Sequence, residues 1–192
     1  MKILVCLKQV PDTTKIKTDP KTSTLIRAGV PSILNPSDHF ALEQALKIKE
    51  KYGAEITAIS MGLPQAKSVL RLALALGVDK TFLISDRALA GSDTWATAYT
   101  LSQATKKLGN FDLILCGQMA IDGDTAQVGP ELDGQLNIPQ ITCCTSFDIE
   151  GNNIIATQEA DDKIRTLQTT FPCLLTMKQS KDYRRNAIYN NR

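Results

Sequence analysis

The chain has 192 residues, of which 43% are apolar and 22% charged, and its net charge is +2. Such a chain buries roughly 70% of its unfolded surface and needs no disulfide staples. No Lys/Arg stripe with interleaved aromatics argues for nucleic acid, and no apolar run approaches the ~20 residues of a membrane-spanning helix, so no membrane insertion is expected.

Taken in chain order, Lys2–Lys8 is a first strand. Its apolar stretch is too short for a signal peptide before Lys8, Gln9 and Pro11, and the expected location is the cytoplasm. Lys15–Ile26 holds the turn signal Thr18-Asp19-Pro20-Lys21-Thr22-Ser23 and predicts a small hairpin or loop. Asn35-Pro36-Ser37-Asp38 starts a helix whose apolar stripe is Ala41, Leu42, Ala45, Leu46, Ile48 and Tyr52, ended by Gly53. Glu55–Ser60 is a strand, Gln65–Leu76 a helix ended by Gly77, and Lys80–Ile84 a strand. Asp93–Leu108 is a helix capped by Ser92 or Asp93 and stopped by Gly109. Phe111–Cys116 is the fourth strand. After Pro139 the pattern changes to Ile141–Ile149, Asn153–Ala160, Lys163–Thr170 and Cys173–Met177, with Gly151-Asn152 and Asp161-Asp162 between them. This predicts an antiparallel meander whose last strand returns to the main sheet.

Strands separated by helices of this length make βαβ units. The predicted class is α/β: an open, mainly parallel, doubly wound Rossmann-like sheet with a small antiparallel meander near the C-terminus. Residues 1–178 form one domain, including the hairpin region 141–177, and 179–192 are a polar tail. Right-handed crossovers put the loops after Cys6, Ser60, Ile84 and Cys116 on one edge, where ligands of such sheets bind.

The run Gly117-Gln118-Met119-Ala120-Ile121-Asp122-Gly123-Asp124-Thr125-Ala126-Gln127-Val128-Gly129-Pro130 follows the fourth strand and leads into a helix. A strand, a small-residue loop and a helix start make an anion cradle suited to phosphate. The spacing is neither a Walker loop nor a Gly-x-Gly-x-x-Gly fingerprint. Pro130 lacks an N–H, so the helix begins between Thr125 and Gly129, with the amides of Ala126, Gln127 and Val128 free at its mouth. Asp122 and Asp124 could ligate a divalent cation, but further oxygen ligands are missing. Backbone shaping is the preferred role, with Asp124 or Thr125 capping the helix and Gly123 admitting a ligand.

The remaining candidates are weaker. His39, the single histidine, has no serine or cysteine signature around it and reads as a solvated helix residue. Without a triad or paired acid/base carboxylates, hydrolase chemistry has no support. Trp95 either flanks a ligand or packs into the core. The odd number of cysteines (Cys6, Cys116, Cys143, Cys144 and Cys173) and the lack of a Cys-x-x-Cys spacing predict buried, reduced thiols.

The segments Lys2–Asp12, Asn35–Asp38, Ala58–Gly62, Ala73–Asp79 and Asp122–Pro130 together resemble the β subunit of the electron transfer flavoproteins, over about residues 1–178. The resemblance implies a nucleotide-holding subunit of an electron-transfer protein rather than a stand-alone enzyme. Its partner would be an α subunit carrying an electron-transferring FAD. The wording Ile-Asp-Gly-Asp-Thr-Ala-Gln-Val-Gly-Pro is more like the electron-bifurcating branch, whose β subunit holds a second FAD that takes a hydride from NADH. In the ordinary branch the ligand is AMP, held structurally. Electrons would pass through the α-subunit flavin to a dehydrogenase such as acyl-CoA dehydrogenase. Carried over by position, Cys6 and Ala58 would frame the adenine edge through backbone contacts, and Asn35, Ser37 and Asp38 would approach the ribose or adenine. Gly117 and Asp122, Gly123, Asp124, Thr125, Ala126, Gln127, Val128 and Gly129 would hold the phosphates. Gln118-Met119 stands where members often carry a basic residue. The resemblance also implies a C-terminally short member, its tail lying where the partner-recognition arm would begin.

Overall fold

The computed structural model describes residues 1–12, 17–18, 25–26 and 31–178, with backbone alone at 17–18 and 25–26. The expected polar tail, 179–192, lies outside the described residues. Among them, one eight-stranded sheet carries the fold. Its strands are β1 (Lys2–Cys6), β6 (Glu55–Met61), β7 (Lys80–Ile84), β8 (Leu113–Gly117), β9 (Gln140–Glu150), β10 (Asn153–Ala160), β11 (Lys163–Thr170) and β12 (Cys173–Met177). Two short ribbons lie outside it: β2 (Gln9–Pro11) with β5 (Ser32–Leu34), and β3 (Lys17–Thr18) with β4 (Leu25–Ile26). The second is the hairpin predicted within Lys15–Ile26.

The strand order is β11-β10-β9-β12-β8-β1-β6-β7. From β9 to β7 every neighbouring pair is parallel. The chain leaves β1 toward β6 and β7, then jumps back to β8 on the other side of β1. That reversal is the topological switch, and it opens a crevice beyond the C-terminal ends of β1 and β8. The reversal also sends the helices to opposite faces. Helices α1 (Pro36–Tyr52) and α2 (Lys67–Leu76) cover Ile3, Val5, Ile56, Ala58, Leu113 and Leu115. Helices α3 (Thr94–Leu108) and α4 (Val128–Leu136) cover Leu4, Ile59, Ile114 and Leu174 with Ala98, Leu101 and Leu132. Coverage on both faces explains why the central strands are continuous apolar runs.

Local chemistry sets the helix ends. Pro36 occupies the first turn of α1, Asp38 complements the positive end of its dipole and Lys49 and Lys51 the negative end. Gly53 closes it at φ 68° with its N–H on Lys49 O. In α3 the cap is Asp93, whose Oδ1 accepts from Ala96 N at 2.8 Å. Tyr52 does not belong to the buried stripe of α1. It is exposed, with Lys51 Nζ 4.9 Å from its ring centroid, and Phe40 is buried instead. Trp95, in the first turn of α3, is 58% exposed and so does not pack into the core.

The meander is present but is not a separate sheet. β9 runs parallel to β12 and so extends the main sheet, while β10 and β11 continue from it antiparallel. Asp161 and Asp162 both take positive φ, 51° and 60°, as the two-residue connection from β10 to β11 requires of a type I′ turn. The hairpin from β9 to β10 places its positive φ on Gly151.

Helix α4 approaches the sheet closely at Gly129. A Cβ there would stand 2.5 Å from Thr176 Cγ2. Thr176 cannot swing aside freely, because its Oγ1 accepts from Cys143 N at 2.9 Å. We expect Gly129→Ala to destabilise the chain by about 1–3 kcal/mol, as overpacking does in tight interfaces, measured by urea unfolding. A midpoint equal to wild type would mean that α4 can move off the sheet at no cost.

Candidate functional site

The loop from Gln118 to Gln127 crosses the mouth of the β1/β8 crevice, and buried polar groups fasten it there. Asn35, fully buried just before α1, uses its whole carboxamide. Its Nδ2 donates to Met119 O at 2.9 Å, and its Oδ1 accepts from Ile121 N at 3.2 Å. Its backbone N–H donates to Lys8 O at 2.9 Å. Asp38, one turn on, accepts from Lys8 N at 2.7 Å and from the backbone N–H of Gly117, and also bonds the Asn35 side chain. Thus two side chains at the start of α1 join the end of β1 to the loop after β8.

Gly117 makes this junction possible. A Cβ there would lie 2.2 Å from Asp38 Oδ1, 2.6 Å from Asp38 N and 2.7 Å from Ser37 C. The space a side chain would take at Gly117 is filled by the first turn of α1. Lys8 adds an outer tie, its Nζ 2.7 Å from Asp122 Oδ1. Lys8 is about half exposed, so this pair adds little stability, at most about 1 kcal/mol. Its consequence is positional: it holds a cation over the loop where Gln118 supplies none.

Past Asp122 the backbone changes hand. Asp124 and Ala126 sit at φ 50° and 54°, the left-handed region, and Gln127 returns to φ −101°, ψ −30°. A left-handed residue followed by a right-handed one turns successive N–H groups into one concavity, an anion-binding nest. Helix α4 then begins at Val128. Among the described residues no protein acceptor takes the N–H groups of Thr125, Ala126, Gln127 or Val128. Those amides, the α4 dipole and Lys8 are a donor set that fits a phosphate or pyrophosphate. Asp124 and Thr125 do not cap the helix. Its N-cap is Gln127, which makes no side-chain capping bond, because the left-handed residues delay the helix start past both.

The edge gathers most of the candidates. Cys6 ends β1, Gly117 ends β8, Ser37 is half-buried in the first turn of α1, and Asp122 to Val128 form the rim. Gly123 is open: a Cβ there would meet nothing within 4 Å. Gly129 is buried against Thr176 rather than facing the rim. Ala58 stands one residue short of the Cys6 register on the neighbouring strand. It lies fully buried inside β6, opposite Val5 and Thr81. The residues at that strand's end are Ser60 and Met61. Asn35 and Asp38 face the loop backbone, so they position the site. His39 is half-buried rather than solvated. Lys8, Ser60 and Met61 also stand at strand ends of this edge and were not among the residues singled out from the sequence, although the rule that ligands meet strand C-termini was enough to add them as candidates.

The comparison with known proteins agrees with this fold. A profile described as the electron transfer flavoprotein domain matches residues 22–181. The chain belongs to the electron transfer flavoprotein family. It is 52% identical over 176 residues to the electron transfer flavoprotein subunit beta of Thermoanaerobacterium thermosaccharolyticum, covering 92% of this chain and 67% of that one. It is 50% identical over 190 residues to the caffeyl-CoA reductase-Etf complex subunit CarD of Acetobacterium woodii, covering 98% and 72%. It is 44% identical over 196 residues to protein FixA of Sinorhizobium fredii, covering 98% and 69%. The chain is therefore a β-subunit member of a flavoprotein family devoted to electron transfer, and an α subunit is its implied partner.

Burial pushes the Asp38 carboxyl up from 3.8 to about 7, although the bonds from Asn35, Lys8 and Gly117 favour its ionised form. Protonated Asp38 thus favours the folded chain. That contribution is complete below pH 3.8 and is lost as the pH rises through about 7. We expect the stability difference between wild type and Asp38→Asn, measured by urea unfolding, to shrink from about pH 5 to about pH 8. A constant difference would mean that Asp38 is ionised throughout.

Proposed function

We propose that this chain is the β subunit of a cytoplasmic electron transfer flavoprotein, paired with an α subunit and binding FAD at the β1/β8 crevice. Electrons from NADH would pass to the α-subunit flavin and on to a dehydrogenase such as acyl-CoA dehydrogenase. The observation that carries the reading is the nest of free amides from Thr125 to Val128, placed at the topological switch of a chain in this family. A relative named as a subunit of a caffeyl-CoA reductase complex supports a CoA-thioester dehydrogenase as partner. Among the described residues no helix is long and apolar enough to cross a membrane.

The chain's own part is positional and electrostatic. Asn35 and Asp38 fix the loop, the amides from Thr125 to Val128 receive the diphosphate, and Lys8 balances its charge. When bound, the flavin supplies the redox chemistry, and the protein sets its position and potential. No side chain at this edge is required as a general acid or base.

Co-expression with an α subunit, followed by chromatography of heat-released nucleotide, tests the reading. FAD from both subunits is the expected result. AMP with a single flavin per heterodimer would instead make this chain a structural nucleotide holder. The nest itself is tested by Ala126→Val, which forces a β-branched residue into the left-handed region. We expect about a tenfold or greater loss of nucleotide affinity, about 1.4 kcal/mol, with Ala126→Gly close to wild type. Equal affinity for all three would remove the nest from the site.

A further inference from the structure

The candidate site leaves two cysteines unexplained. Cys6 is the last residue of β1, and Cys116 is the penultimate residue of β8. The two strands are parallel neighbours in the register Val5 to Leu115, so Cys6 and Cys116 stand opposite one another one residue further on. Both side chains belong to the face covered by α3 and α4. The two thiols are close enough on that face for Cys6 to be the leading cause of the upward shift at Cys116. Neighbouring strands lie about 4.8 Å apart, inside the Cα separation of about 4.4–6.8 Å that a disulfide spans.

We infer that Cys6 and Cys116 form an oxidisable thiol pair that closes to a disulfide across the β1/β8 crevice, beneath the loop. The two thiols differ in access. Cys6 is half-buried at the edge, whereas Cys116 is 6% exposed. The neighbouring thiol, burial and the Asp38 charge all push the Cys116 thiol up, so it is held protonated. An oxidant therefore meets Cys6 first. With a peroxide as oxidant, the Cys6 sulfur attacks one peroxide oxygen, the O–O bond breaks, and Cys6 sulfenic acid and water result. The Cys116 sulfur then attacks the Cys6 sulfur, forming S–S as the S–O bond breaks and a second water leaves. Two thiols are oxidised by two electrons, and one hydrogen peroxide is reduced to two waters.

The other three cysteines are placed differently. Cys144 and Cys173 are fully buried in the core of the opposite face, where burial pushes both thiols up to about 12. Cys143 is half-buried at a β-bulge with φ 54°, next to Cys144 in sequence and unable to meet Cys6 or Cys116 across β12. The closed pair would also tie together the strand ends that Asp38 joins through Lys8 N and Gly117 N.

The full chain would be exposed to equimolar hydrogen peroxide, its free thiols alkylated under denaturing conditions, and its non-reduced digest mapped by mass spectrometry. We expect two of the five thiols to disappear, with the peptides holding Cys6 and Cys116 joined within one chain and separated again by dithiothreitol. In Cys116→Ala, Cys6 should accumulate as a sulfenic acid trapped by dimedone. In Cys6→Ala, the remaining thiols should survive the same exposure. Five intact thiols, a bond through Cys143, a link between two chains, or equal sulfinic acid at Cys6 in wild type and Cys116→Ala would each overturn the inference. The wild-type map decides the matter without reference to either variant's folding.

Discussion

The buried bonds of Asn35 and Asp38 are the constraint on which the site edge depends. Three parts of the chain, far apart in sequence, meet there: the end of β1, the first turn of α1 and the loop after β8. Removing either side chain would strand buried backbone groups of Lys8, Gly117, Met119 or Ile121, each at about 1–3 kcal/mol. The arrangement closes only because position 117 has no side chain. The loop's conformation is therefore imposed from beneath by a helix start, not by its own turn residues.

This placement follows from topology. Parallel strands covered on both faces force the helices to alternate sides when the strand order reverses. At the reversal neither helix layer covers the strand ends, and a crevice remains. Helix α1 comes from one layer and α4 from the other, and both begin at this edge. The fold thus brings two helix N-termini, the β1 end and a run of unbonded amides to one location. A phosphate-bearing ligand would satisfy the amides that the fold leaves without acceptors. The left-handed residues Asp124 and Ala126 carry a backbone cost, of order 1–3 kcal/mol each, which is consistent with a loop shaped for binding rather than for stability.

Electrostatics at the edge is divided by depth. Asp38 is buried and its ionisation is suppressed, so it acts through hydrogen bonds more than through charge. The Lys8–Asp122 pair is outside and partly solvated. The thiols of Cys6 and Cys116 lie between these layers on the sheet itself. One small volume therefore combines a nest of acceptor-free amides, a suppressed carboxyl and two neighbouring thiols, all referred to the same two strand ends.

The sequence alone determined the element pattern. Gly53, Gly77 and Gly109 marked helix ends, Asp93 a cap, and continuous apolar runs the central strands, because these signals depend on local backbone chemistry and burial period. It also placed the loop Gly117–Pro130 between a strand and a helix and located the helix start between Thr125 and Gly129. What it could not determine was which groups face which. Asn35 and Asp38 looked like ligand contacts, yet they bond backbone groups of Lys8, Met119 and Ile121, because they meet segments 30 to 86 residues away. Ala58, expected to meet an adenine through its backbone, has its side chain sealed within β6, since depth along a strand depends on where its neighbours end. Asp124 and Thr125 looked like helix caps, yet two positive φ values move the cap to Gln127. Local propensity is written in neighbouring residues, whereas the direction of a side chain and the reach of a strand are decided by non-local pairing, and only the tertiary structure supplies that.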